Sequence, residues 1–170
     1  MIDQSTISYK LYEDSVDCMG TAKVTLPDLT ALTQSISGAG IAGNIEAVIL
    51  GHFDAMTLGV DFRNTTPHVI RMAEPRIHNI DLRAAQQNED PVSGTIVVSN
   101  IKHVMRVIPK TTKGGTLAPA SPADASGEYA VRYWATYIDG KKEMEIDPLN
   151  FICYVHGTDY LENVRKALGM

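Results

Sequence analysis

Tyr137-Ile138-Asp139-Gly140-Lys141-Lys142-Glu143-Met144-Glu145-Ile146-Asp147-Pro148-Leu149-Asn150 is the stretch whose reading decides the fold. Asp139-Gly140 separates two runs of strand-forming residues. A two-residue turn between strands needs positive φ at both central positions, and Asp-Gly accepts that conformation at low cost. The stretch therefore predicts a hairpin that pairs Glu128–Ile138 with Glu143–Ile146. Asp147-Pro148 and Leu149-Asn150 predict a corner, and Phe151 to His156 a further strand. Asp159 to Leu168 reads as a closing helix. Asp159 and Glu162 fit a capping pattern, and Leu161, Val164, Ala167 and Leu168 make an apolar side. Glu162 and Lys166 are a favourable pair one turn apart, and Gly169 stands where a left-handed stop is expected. No residue pattern here is that of a catalytic site.

Working back towards the N-terminus, Ile45 to Phe62 carries the clearest strand signal. Met56, Leu58, Val60 and Phe62 alternate with Thr57, Gly59, Asp61 and Arg63, which predicts one apolar and one polar face. His52-Phe53-Asp54 interrupts the run as a bulge or turn would. Ile7–Tyr12 and Gly20–Leu26 read as earlier strands around the acidic turn Glu13-Asp14-Ser15, and Thr30 to Ser37 is ambiguous. Thr66-Pro67 predicts a short helix that Pro75 ends, because proline fits the first helical position. Arg76–Ala84 and Thr95–Ile108 read as strands, with a turn region from Gln86 to Gly94. Pro109 to Gly127 has Leu117 as its only large apolar residue and predicts a long exposed loop. The expectation is one domain over residues 1–170, mostly β, with one or two short helices.

The composition bounds the function. The chain has 170 residues, 44% of them hydrophobic, and a formal net charge of −5. That is enough chain for a substantial core, and the negative balance argues against nonspecific grip on nucleic acid. Cys18 and Cys153 lack metal-ligand spacing and read as reduced, buried thiols. Met1-Ile2-Asp3-Gln4 lacks the basic and apolar segments of a secretory signal, so folding in cytosol is expected. No apolar run has the length of a membrane span, so no membrane insertion of the subunit is expected.

Gly38-Ala39-Gly40-Ile41-Ala42-Gly43 matches G-x-G-x-x-G literally, and Asp61 lies at a suggestive distance beyond. A dinucleotide site also needs a helix after the third glycine, to hold the pyrophosphate at its N-terminus. The residues after Gly43 alternate as a strand does. A glycine loop allowing close backbone approach is the better reading, and a small nucleotide-binding enzyme using this segment is a minor alternative. His52, His68, His78, His103 and His156 are scattered, so no metal, cofactor or catalytic residue is expected. Lys102, Arg106, Lys110 and Lys113 form a cationic run. It reads as a solvated face, or as a complement to Glu13, Asp14 and Asp17 on a neighbouring copy. Tyr129, Tyr133, Trp134 and Tyr137 read as core and cross-strand packing.

Taken together, Leu26-Pro27-Asp28-Leu29, the glycine segment, Leu50-Gly51, the run from Asp139-Gly140 to Asn150, Gly157-Thr158-Asp159-Tyr160-Leu161 and Leu168-Gly169 resemble the major tail tube proteins of contractile-tailed phages and R-type bacteriocins. Pro75–Gly94 and Pro109–Gly127 depart from that pattern. The resemblance implies a β-sandwich or split barrel with a flanking helix. It implies stacked hexameric rings in which the strands of all copies join into one continuous barrel around a lumen. The implied partners are the protein itself, a surrounding sheath, baseplate hub and tail terminator proteins, and a tape measure protein or DNA in the lumen. The implied site is the virion or bacteriocin tail, after synthesis in the bacterial host cytoplasm, and the implied work is mechanical. A tube from a related secretion or injection apparatus is the neighbouring alternative. On this reading Gly38, Gly40, Gly43, Lys110 and Lys113 are subunit-interface candidates, and Thr57 and Asp61 face the lumen.

Overall fold

A computed structural model describes residues 1–18 and 20–170. In chain order the elements are β1 (Ile2–Glu13), β2 (Val16–Asp17), β3 (Thr21–Thr25), β4 (Ala31–Ile36), β5 (Ile45–Phe53), β6 (Met56–Phe62), α1 (Pro67–Met72), β7 (His78–Glu89), β8 (Ile96–Lys113), β9 (Ser126–Ile138), β10 (Lys141–Asp147), β11 (Ile152–Val155), β12 (Thr158–Asp159) and α2 (Glu162–Leu168). All pairings are antiparallel. The main sheet runs β12-β11-β10-β9-β8-β7-β1-β2, and β6 joins β9 and carries β3. The expected fold class, mostly β with one or two short helices, is the one observed, and the helices are two among the described residues.

The sheet forks along β9. One side of β9 follows β8 for its whole length, while the other side pairs β6 from Ser126 to Val131 and β10 from Trp134 to Ile138. Arg132 is the extra residue where the β8 register slips, and a bulge of this kind bends a strand. The core fills the space enclosed by the fork. Met56, Leu58, Val60 and Phe62 enter it from β6, Met105 and Val107 from β8, Tyr129, Val131 and Trp134 from β9, and Leu11, Ile80 and Leu82 from β1 and β7. Val69 and Met72 of α1 close one side.

Asp139-Gly140 turns as expected, with φ of 47° and 81°. The Asp147 carboxylate builds the next corner by accepting from the backbone N–H groups of Leu149 and Asn150 and from the Asn150 amide. Asp159 does not cap α2 as a capping box would, since Leu161 holds the cap position without a side-chain bond. Its carboxylate instead accepts from the Leu161 N–H and pairs with Arg165 at 2.6 Å, and Arg165 also donates to the Phe151 carbonyl. The Glu162–Lys166 pair forms, and Gly169 ends the helix in the left-handed region. Pro67 starts α1 as expected, but the buried Thr66 hydroxyl makes no capping bond.

Several boundaries differ from the sequence reading. The Ile45–Phe62 run turns at Asp54-Ala55, next to the expected interruption, but the two strands it forms belong to different sheets rather than to one pair. Among the described residues β5 pairs only with β4, the segment that is ambiguous in sequence, and the two form a separate ribbon. The turn region from Gln86 shortens to residues 90–95, because Gln86–Glu89 continue β7 against Ser99–Ile96. The long loop begins only after Lys113, since β8 runs on beside β9. Its far end is not exposed chain either. Ala123 and Ala125 are buried, tied by Phe62 N–H to the Ala125 carbonyl and Asp124 N–H to the Arg63 carbonyl.

Candidate functional site

Four strands stand out as a unit: β3, β6, the first half of β9, and the last part of β8, each antiparallel to the next. Alternation gives the unit two chemically different faces. The inner face carries Val24, Leu58, Val60, Tyr129 and Val131 into the core. The outer face carries Lys23, Thr25, Thr57, Gly59, Asp61, Thr111, Lys113, Ser126 and Glu128. The registers Lys23–Asp61, Thr25–Gly59–Glu128 and Asp61–Ser126–Lys113 bring these side together. The outer face is concave, with a hollow of about 290 Å³ lined by hydroxyls, two carboxylates and one ammonium group.

Thr57 and Asp61 both lie on this polar face, and Asp61 is exposed. Lys113 joins them, which the loop reading had not anticipated. Lys110 is the extra residue of a β8 bulge, between the Pro109–Tyr129 and Thr111–Glu128 pairs. The sequence reading missed Thr25, Thr111, Ser126 and Glu128. The signal was the polar alternation Thr111-Lys113 opposite Ser126-Glu128, masked by the Pro/Ala/Ser-rich chain between them.

Gly38, Gly40 and Gly43 sit elsewhere, at the tip of the β4–β5 ribbon. Gly40 has φ of 90° and Gly43 of 135°, and a β-carbon at any of the three would meet nothing within 4 Å. The segment therefore serves no close approach among the described residues. A strand follows it, not a helix, so the dinucleotide reading is not supported. Leu32, Ile36, Ile45, Val48 and Leu50 are exposed along the ribbon. A two-stranded ribbon this apolar is marginal in water without a cover. The ribbon leaves the four-stranded unit at its Met56 end, and the loop of residues 114–125 leaves at the opposite, Phe62 end.

The acidic patch, which one of the two readings of the cationic run set against a neighbouring copy, is used within the chain. Glu13, fully buried, contacts Arg71 Nε and Arg76 at 2.9 Å each and His78 Nδ1 at 2.7 Å. Burial works against ionised Asp14, but bonds from Arg76 and Asn79 outweigh it and hold its carboxyl well below the usual range. Asp17 pairs with Lys10. Lys102 and Arg106 are likewise engaged, by Asp81 and by the Tyr133 ring. Glu13, Asp14 and His78 offer three ligand atoms within 4.8 Å of one another. The Arg71 and Arg76 guanidinium groups already form ion pairs with both carboxylates, and both His78 ring nitrogens are bonded, so the donor set does not fit a cation. Burial pushes the Cys18 thiol up to about 11, which makes it a poor nucleophile.

Known proteins resemble this chain in sequence and in fold. The tail tube protein of Escherichia phage P2 is 28% identical over 154 residues, spanning 89% of this chain and 88% of the phage protein. The solved sheath/tube terminator of an extracellular contractile injection system, PVC, in its extended state shares the fold. Its TM-score is 0.53 at 8% identity, over 77% of this chain and 94% of the other. A family profile described as phage tail tube protein FII matches residues 4–169. By that match the chain belongs to the phage tail tube protein family.

Proposed function

We propose that this subunit polymerises as stacked hexameric rings into the rigid inner tube of a contractile tail, with the polar face of β3, β6, β9 and β8 turned to the lumen. The observation that carries the reading is the division of that sheet. Its apolar face is spent on the core, and its concave face is coated with Thr25, Thr57, Thr111 and Ser126 hydroxyls and charges of both signs. A surface of this kind stays wet and does not hold what passes along it. The work is mechanical, with no turnover, cofactor or metal.

The β4–β5 ribbon with Gly38, Gly40 and Gly43, and the loop carrying Leu117, project from opposite ends of the same sheet. Head-to-tail stacking therefore brings the ribbon of one ring against the loop end of the next. Lys110 and Lys113, without an ion pair among the described residues, remain for a neighbouring copy. The wider assembly follows the family: a sheath outside, a baseplate hub and terminator at the ends, and tape measure protein or DNA inside. The tube is placed in the virion or bacteriocin tail, and a secretion-type tube is the second reading. No helix among the described residues is long and apolar enough to cross a membrane. Electron microscopy of the purified protein tests the proposal. Hollow rods of uniform diameter are expected, and a protein that stays monomeric at high concentration contradicts it.

A further inference from the structure

We infer that the loop of residues 114–122 in one copy seats Leu117 in an apolar trough on the back of the main sheet of the copy stacked beyond it. The inference rests on the tube reading above. The trough lies on the face of β1, β7 and β8 opposite the core, and holds about 350 Å³ between Ser8, Tyr12, Arg83, Ala85, Val98 and Asn100. The registers explain it. Ser8, Ala85 and Asn100 pair in one row of short side chains. The row on one side is Lys10, Arg83 and Lys102, and the row on the other is Ser5, Gln87 and Val98. The hollow is a gap in the sheet's own side-chain cover, and it leaves Val98 58% exposed. Its walls are fixed before any partner arrives. Arg83 lies over the Tyr12 ring at 5.1 Å and pairs with Asp81, and the Asn100 backbone exchanges two bonds of 2.8 Å with Asp139.

The loop is a matching knob. Leu117 is 92% exposed and is the only large apolar residue between Gly114 and Ala125. Gly115, at φ of 80°, lets the chain fold against Ala123, where a β-carbon would lie 1.9 Å from the Ala123 carbonyl oxygen. The Thr116 N–H donates to that carbonyl and the Ser121 N–H to the Ala118 carbonyl. The Asn64 side-chain oxygen accepts from the Ala123 N–H and ties the loop to the end of β6. A loop held in this way has already lost much of its freedom, so docking costs little further ordering.

A second copy is the occupant, because the loop cannot reach the trough of its own chain. From Asn100 at the trough to Lys113 at the root of the loop, β8 spans roughly 40 Å, and the loop leaves at the far end. Copies stacked head to tail repeat both features along the axis, so the loop of one comes to the trough end of the next. Charge agrees. Residues 114–122 carry no charged side chain, while Arg83 and Lys10 beside the trough are already matched by Asp81 and Asp17. A neutral segment leaves those pairs intact, whereas an acidic partner would have to compete with them. Tyrosine and arginine, which stand at the rim, are side chains enriched where proteins meet. Arg83 and Ala85 fall in Pro75–Gly94, and Leu117 in Pro109–Gly127, the two segments that depart from the family pattern. The contact is this chain's own addition to the tube.

Thiol labelling tests the contact. Leu117→Cys subunits are copolymerised with an excess of wild type, whose Cys18 and Cys153 are buried. Maleimide labelling of the introduced thiol should slow at least tenfold on assembly. Replacing the wild-type excess by Ala85→Trp, which fills the trough, should restore the rate seen in the monomer. In a second measurement, equal parts of Leu117→Cys and Val98→Cys subunits are assembled and mildly oxidised. A disulfide-linked dimer should appear on a non-reducing denaturing gel, and neither variant alone should give it. Unchanged labelling in tubes overturns the contact, and so does slowing to which neither Ala85→Trp nor the Val98→Cys mixture responds. Slowing that requires added sheath assigns the loop to the sheath and overturns it too. Each of these results leaves the tube reading standing. Absence of any wild-type polymer overturns the tube reading, and the contact with it.

Discussion

Gly51 in β5 stands directly against Leu161 at the start of α2, so close that a β-carbon on Gly51 would lie 2.6 Å from the Leu161 side chain. Gly51 also has φ of 65°, where a side chain is strained. With the His52–Phe151 edge contact at 6.3 Å, this seats the root of the exposed ribbon on the C-terminal segment. Gly51→Ala should destabilise the monomer by about 1–3 kcal/mol, read as a lower urea midpoint. Adding Leu161→Ala should recover part of that loss, because it removes the clash but not the strain. Strict additivity of the two variants would show that the contact is not what limits this position.

The buried charge cluster should be much more sensitive than the surface pairs. Glu13→Gln leaves Arg71, Arg76 and His78 around a neutral group, which by analogy with other buried pairs costs about 3–5 kcal/mol. Lys10→Ala, which loses an exposed pair with Asp17, should cost far less, because solvent screens such a pair. Thermal melts of the two variants make the comparison, and equal effects would refute the ranking.

Acid should act through the C-terminal tie. The Arg165 hydrogen bond is the main reason the Asp159 carboxyl sits below its ordinary value of 3.8, with burial opposing it. A carboxylate held lower in the folded state contributes stability that is fully present above the unfolded value and fades as pH falls through the folded one. Asp159→Asn should therefore be less stable than wild type at pH 7, and the gap should narrow below about pH 4. Urea titrations at pH 7 and pH 3 give the comparison. A gap that widens in acid would have the wrong sign.

Gly40→Val probes assembly rather than folding. Nothing lies within 4 Å of a β-carbon there, although φ of 90° is unfavourable. The monomer should lose no more than about 1–3 kcal/mol, while polymer yield in a sedimentation assay should fall sharply. Leu117→Ser, at a 92% exposed side chain, should do the same at the other end of the sheet. Normal tubes from both variants would reduce the ribbon tip and the loop to surface features.

Much of the fold was legible because it rests on local rules. Asp139-Gly140 set a hairpin, Pro67 a helix start, and the alternation of Met56 to Phe62 the face that enters the core. Elements without a local rule were misread. Lys110 and Lys113 look like loop because Pro109 and two glycines flank them, yet pairing with β9 holds them in a strand. Proline is tolerated there because that part of β8 has a neighbour on one side only. Glu13 and Asp14 looked like a surface patch, because nothing in sequence links them to arginines more than fifty residues away. The site was half legible. One strand's alternation gave Thr57 and Asp61, but the shared face depends on long-range register that no single segment records.

The most direct test of the account is a cryo-electron microscopy map of the assembled polymer at side-chain resolution. The account predicts Thr57, Asp61, Thr111 and Glu128 at the smallest radius, with Leu58 and Val60 behind them in the wall. A map with this polar face buried between subunits or turned to the outside, and another surface lining the lumen, would contradict it.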